Sequence, residues 1–109
     1  MLDGVHADVR AAVEAEVERA KGQWGARYHS WHEAYGVLAE EKHEVQHELK
    51  FLDYYWDDLS RALHGNQTNT TLDAVDNIRA AAVRAACELI QVAAVCSKAS
   101  AGVEVPFDV

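Results

Sequence analysis

Proline is almost missing from this chain of 109 residues: Pro106 is the only one. Proline breaks helix interiors because it lacks the amide N–H and its ring clashes with the preceding turn. Nothing before Pro106 therefore forbids long helices. Glycine is also scarce, at six residues, while half of the chain is apolar. That balance favours a helical globule over disorder, and the length allows one domain with one core. Cations are few as well. Ten Lys and Arg against eighteen Asp and Glu leave a net charge of -8. Binding a nucleic-acid polymer calls for a basic face, so a bound cation suits this chain better. No apolar run reaches the roughly 18 residues of a membrane span, and the N-terminus has no signal-type apolar region. Neither membrane insertion nor secretion is expected. Only Cys87 and Cys96 carry thiols. On one helix they lie on opposite sides and about 13 Å apart in rise, too far to bridge each other. The chain reads as cytoplasmic and reduced, so the N-x-T triplets Asn66–Thr68 and Asn69–Thr71 read as loop residues. Nucleophile elbows and phosphate-cradling glycine loops are absent too.

What the chain does have is concentrated between Ser30 and Lys50, where Glu33, Glu40, Glu41, Glu44 and Glu48 alternate with His32, His43 and His47. Ser30 followed by Glu33 is a capping box, in which hydroxyl and carboxylate each satisfy a free backbone N–H at a helix start. Beyond it, Tyr35, Leu38, Val45, Leu49, Leu52, Trp56, Leu59 and Leu63 step by three, four or seven, an apolar helix stripe. At about 100° per residue a second line falls beside it: Val37, Glu41, Glu44, Glu48, Phe51, Tyr55. Three acids thus stand in a row with apolar ends, which a merely solvated face does not need.

Taken in order, residues 5 to about 21 form a first helix, with Val5, Val9, Val13 and Val17 spaced by four and Asp3 as N-cap. Gly22 and Gly25 interrupt it, leaving 22–29 as a connection. The aromatics there and just beyond (Trp24, Tyr28, Trp31, Tyr35) form either a packed hinge or a surface that stacks on a base. A second helix spans 31 to about 64, roughly 50 Å if straight. It is either bent or broken near Lys50–Tyr55, or projects onto another subunit. Gly65 stops it, the polar stretch 65–71 is a loop, and Thr70 or Thr71 caps a third helix over about 72–99. From Leu89 to Cys96 that helix is apolar all round except for Gln91. A helix apolar on every side is buried on every side. Residues 102–109 form a tail without preference. The fold class is all-α, a bundle of about three helices completed by homo-oligomerisation.

Two motifs carry chemistry. Hard divalent cations take several carboxylate oxygens, and a helix supplies them one turn apart. Glu41 and Glu44 have that spacing, Glu40 and Glu48 adjoin them, and Glu88, beside Gln91, is placed to complete the set from the third helix. The segment from His43 to His47 is also a formal HExxH, the zinc-protease pattern. A third ligand at the usual interval, a substrate-binding sheet and room for both are missing. A zinc ion on the His43/His47 pair remains the minor alternative. A third reading has no chemistry, with an acidic oligomeric bundle serving assembly or regulation.

Glu40-Glu41-x-x-Glu44, followed on a later helix by Glu88-x-x-Gln91, resembles the EExxE…ExxD signature of MazG-like all-α nucleoside triphosphate pyrophosphohydrolases. The wording HEAYGVLAEEKHEV and ELIQVAAVC is similar to a compact MazG-like subgroup met in phages and actinobacteria. The likeness covers about residues 30–50 and 84–97. It implies Mg²⁺, with Mn²⁺ as substitute, bound to the triphosphate of a nucleotide. Metal-activated water then attacks the α–β linkage and releases pyrophosphate. Carried over by position, Glu41 and Glu44 are ligands central to catalysis, Glu40 a ligand or a group behind one, and Glu88 a ligand from the third helix. Gln91 stands where the pattern has Asp; its amide carbonyl still ligates a hard ion, less strongly. The interval from Glu44 to Glu88 is longer than usual, and Asp73-x-x-Asp76 fits the customary one. Glu88 and Gln91 are preferred because their surrounding wording matches. Lys42, Lys50, Arg79 and Arg84 are unranked candidates for holding phosphate.

Overall fold

The computed structural model describes residues 3–107. The chain is all-α, with three helices, α1 (Asp3–Trp24), α2 (Trp31–His64) and α3 (Thr68–Ser100). Two three-residue strands, β1 (Tyr28–Ser30) and β2 (Val103–Val105), pair in parallel with Tyr28 opposite Val103 and Ser30 opposite Val105.

The helix ends explain where the expected boundaries move. α1 runs through Gly22, since one interior glycine costs a helix only about 1 kcal/mol against alanine. It stops at Gly25, whose φ of 90° is left-handed and whose N–H donates to the Lys21 carbonyl at 3.1 Å. After α2 the left-handed residue is Asn66 (φ 55°) rather than Gly65. The Gln67 N–H reaches the Ala62 carbonyl at 2.9 Å and the Asn66 N–H the Leu63 carbonyl at 3.2 Å, the paired bonds of a Schellman end. That tight turn lets α3 begin at Thr68, four residues earlier than expected. Thr71 does not cap it: its hydroxyl donates back to the Gln67 carbonyl at 2.7 Å. The tail is also corrected. Val103–Val105 is a strand that pairs with the start of α2's approach segment, too short to leave a period in the sequence.

α2 is one uninterrupted helix, without the break considered near Lys50–Tyr55. Its packed face lies between the two lines read from the sequence. Ala34, Val37, Glu41, Val45, Glu48, Leu52, Tyr55, Leu59 and Ala62, which share one side at about 100° per residue, are all buried or half-buried. Leu49, Trp56 and Leu63, spaced by seven, are exposed.

The chain divides into two compact units. The hairpin His43–Glu88 buries Val45, Ala62, Ala74, Ala81 and Ala85. Small side chains at these positions let helix backbones approach closely. Ala81→Leu, at a residue with 0% exposure, is expected to overpack this unit by about 1–3 kcal/mol. That lowers the melting temperature by about 4–8 °C per kcal/mol. Ala80→Leu, one residue away and exposed, serves as the control and should leave the melting curve in place.

The other unit comprises the residues up to Lys42 and those from Leu89 on. Its core is Tyr28, Ala34 and Val95, with Val37, Leu38, Ala99 and Val103 against them. The aromatic hinge is not a packed cluster. Tyr28 alone of the four is buried, Trp24 and Tyr35 are exposed, and Trp31 stacks on Phe107 with centroids 6.3 Å apart. The apolar stretch of α3 is only partly covered: Ala94 and Val95 are buried, while Leu89 and Cys96 are exposed. By length and composition α3 is apolar enough to cross a membrane, counting small residues that do not form one run of large apolar ones. Only 22% of its most apolar 18-residue stretch is buried within the chain.

Candidate functional site

The start of α2 fixes the register of every acid on it. The Ser30 hydroxyl accepts the Glu33 N–H at 3.2 Å, as in a capping box. The Glu33 carboxylate accepts the His29 N–H at 3.4 Å instead of closing on Ser30. From that start, one turn of the continuous helix puts Glu41 beside Glu44. In the hairpin unit, carboxylate oxygens of Glu44 and Glu88 lie within 4.8 Å of each other. Glu41 and Glu88 are half-buried and Glu44 is exposed.

Within the hairpin unit, Glu44 and Glu88 share a recess of about 470 Å³ with His43, His47 and Glu48. Glu48 is neutralised there: Arg84 Nε donates to its Oε2 at 2.8 Å. This ion pair was not foreseen, although Arg84 and Glu88, four residues apart on α3, share a helix side. It removes Arg84 from the free cations considered for phosphate. Arg79 is likewise occupied, donating to Asp76 at 2.9 Å. Lys42 and Lys50 are exposed. His43 and His47 are exposed, as the helical wheel requires, yet they border the same recess as the acids. His47 meets the Phe51 ring edge-on with centroids 4.9 Å apart.

Glu40, Glu41 and Gln91 of the sequence-derived set belong to the other unit. Glu40 and Gln91 line a recess of about 550 Å³ in the other unit, with Glu16, Arg19, Trp24, Tyr28, Glu33, Glu41 and Lys98. Glu16 forms a two-pronged pair with Arg19, which holds its carboxyl below the usual carboxylate range, and the nearby Gln91 amide acts in the same direction. Gln91 shares this recess with Glu16 of α1, to which an Asp in its place would present a like charge. Burial raises the Tyr28 hydroxyl above its ordinary pKa, and the charges of Glu33 and Glu41 act in the same direction. Asp73 and Asp76 are exposed on α3 and do not join the carboxylate group.

Sequence reasoning missed Lys98. It is only 7% exposed, and its ammonium sits 4.0 Å above the centre of the Tyr28 ring. A basic residue in a last helical turn ordinarily answers the helix dipole, which hides any other role. Comparison of the chain with protein-family models, with curated proteins and with solved structures gives no match.

Proposed function

We propose that this chain hydrolyses a (deoxy)nucleoside triphosphate to the monophosphate and pyrophosphate, using Mg²⁺ or Mn²⁺ held by Glu41, Glu44 and Glu88. The observation that carries the reading is that Glu44 and Glu88, from two helices, line one recess, with Glu41 one turn before Glu44 on the same helix. Three hard oxygen donors from two helices are the donor chemistry a hard dication takes. Ligand oxygens around an ion at about 2.1 Å sit about 3–4.2 Å apart. The Glu44 and Glu88 oxygens, already within 4.8 Å of each other, close to that spacing by side-chain rotation. The likeness of Glu40-Glu41-x-x-Glu44 and Glu88-x-x-Gln91 to the MazG-like signature points the same way.

When bound, the dication neutralises the triphosphate and lowers the pKa of a coordinated water. The protein's part is positional. Glu41 and Glu88, half-buried, hold fixed places, and exposed Glu44 faces the solvent side from which substrate arrives. Glu48, held by Arg84, keeps a neutral wall beside them. Glu40 lies outside this group and serves at most as a support behind Glu41. We place the protein in the cytoplasm as a self-associating bundle. The exposed line Leu49, Trp56 and Leu63 favours that assembly, and it also favours a second reading, an assembly protein whose acids are structural.

A panel of nucleoside triphosphates incubated with Mg²⁺ and scored for pyrophosphate separates the two. Release from at least one triphosphate is expected. Glu44→Gln should cut it by more than the 10–100-fold typical of losing a group behind a ligand. No release from any member would leave the assembly reading.

A further inference from the structure

The recess beside Tyr28 has a composition that selects its own ligand. One wall is aromatic and aliphatic, with Trp24, Tyr28, Val37 and Val95. Trp24 is 71% exposed, a large apolar face that a flat ligand would cover. Lys98 is the one polar side chain in the buried class among the described residues. Its stem is enclosed and its ammonium rests on the Tyr28 ring at 4.0 Å. It takes part in none of the ion pairs found among the described residues. An ammonium has three donors, and a ring face engages only one side of it.

Charge then decides between ligand types. The recess is lined by four carboxylates, Glu16, Glu33, Glu40 and Glu41, against two cations, Arg19 and Lys98. Arg19 is already committed to Glu16. An anionic group at Lys98 would meet the surplus negative charge, and a cationic ligand would meet a buried ammonium. A neutral ring escapes both. It must offer an acceptor to Lys98 and, next to it, an N–H to a carboxylate.

We propose that this recess binds a flat heteroaromatic ring bearing an oxo group next to a ring N–H, the edge found in guanine and uracil, with Lys98 donating to the oxo oxygen. The inference rests on the nucleotide reading above and deepens it by naming the class of base. Adenine lacks the oxo group, and the ring nitrogen beside its amino group is a weaker acceptor for Lys98 than a carbonyl oxygen. The volume of about 550 Å³ lies within the range of small-ligand sites.

The test uses the whole chain with free nucleosides and no metal, so that it does not depend on the carboxylate group. Guanosine, uridine and adenosine are titrated by calorimetry and by tryptophan fluorescence. Guanosine or uridine should bind at least tenfold more tightly than adenosine. Lys98→Met, whose thioether keeps the contact with Tyr28, should erase that preference. Equal binding of adenosine, no binding of any of the three, or a preference unchanged in Lys98→Met would each overturn the proposal. If Lys98→Met fails to fold, the wild-type ranking alone decides. Hydrolysis of all triphosphates alike without a nucleoside preference removes this proposal and leaves the hydrolase reading standing. A nucleoside preference without hydrolysis does the reverse.

Discussion

Millimolar Mg²⁺ or Mn²⁺ is expected to raise the melting temperature by several degrees, and Glu44→Gln or Glu88→Gln to abolish most of that rise. The Glu44 and Glu88 carboxylate oxygens, within 4.8 Å of each other, repel when ionised, and a dication bound only by the folded state relieves that repulsion. At ten times its dissociation constant a ligand stabilises by about 1.4 kcal/mol. For a chain of this size that is about 6–11 °C. The glutamine variants should themselves be slightly more stable without metal, because each removes one repelling charge. His43→Ala and His47→Ala provide the contrast. They border the recess that Glu44 and Glu88 line but lie outside the carboxylate group, so the metal effect should survive them. Loss of the effect in the histidine variants, with retention in the glutamine variants, would assign the ion to the HExxH pair.

The second large effect concerns self-association. Among the described residues no large side chain is fully buried. The uncovered apolar residues also have a pattern: Leu49, Trp56 and Leu63 repeat every seven residues along α2, the spacing of a helix-to-helix seam. Sedimentation at micromolar concentration should therefore show dimers or larger assemblies, with a melting temperature that rises with concentration. Trp56→Glu, which places a charge on the seam, should dissociate the assembly and lower the melting temperature by more than 5 °C. A stable folded monomer would contradict this. Assembly seen only with detergent or lipid would assign the open face of α3 to a membrane.

The existence and order of the helices were legible because proline is absent from their interiors and the apolar steps are long. Their ends were less so. Of the two glycines that interrupt the first helix pattern, only Gly25 is left-handed, and after α2 the left-handed residue is Asn66 rather than Gly65. The packed face of α2 was half legible. The acidic line does turn inward at Glu41 and Glu48, whereas part of the larger apolar line stays open. Its alanine-rich partner, buried at Ala74, Ala81 and Ala85, leaves a narrow interface that a wheel built on large residues does not reveal. The spacing of Glu41, Glu44 and Glu88 was legible as one-turn steps plus a likeness in wording. The neighbours of Gln91 and Glu48 were not, because Glu16 and Arg84 lie far from them in sequence and come near them only in the fold.

Phosphorus NMR of a nucleoside triphosphate during incubation with the protein and Mg²⁺ tests the central proposal most directly, since it reports which phosphate bond breaks. The expected result is the growth of monophosphate and pyrophosphate signals together, absent with chelator and nearly absent with Glu44→Gln. Diphosphate with inorganic phosphate, or an unchanged spectrum across the four bases, would contradict it.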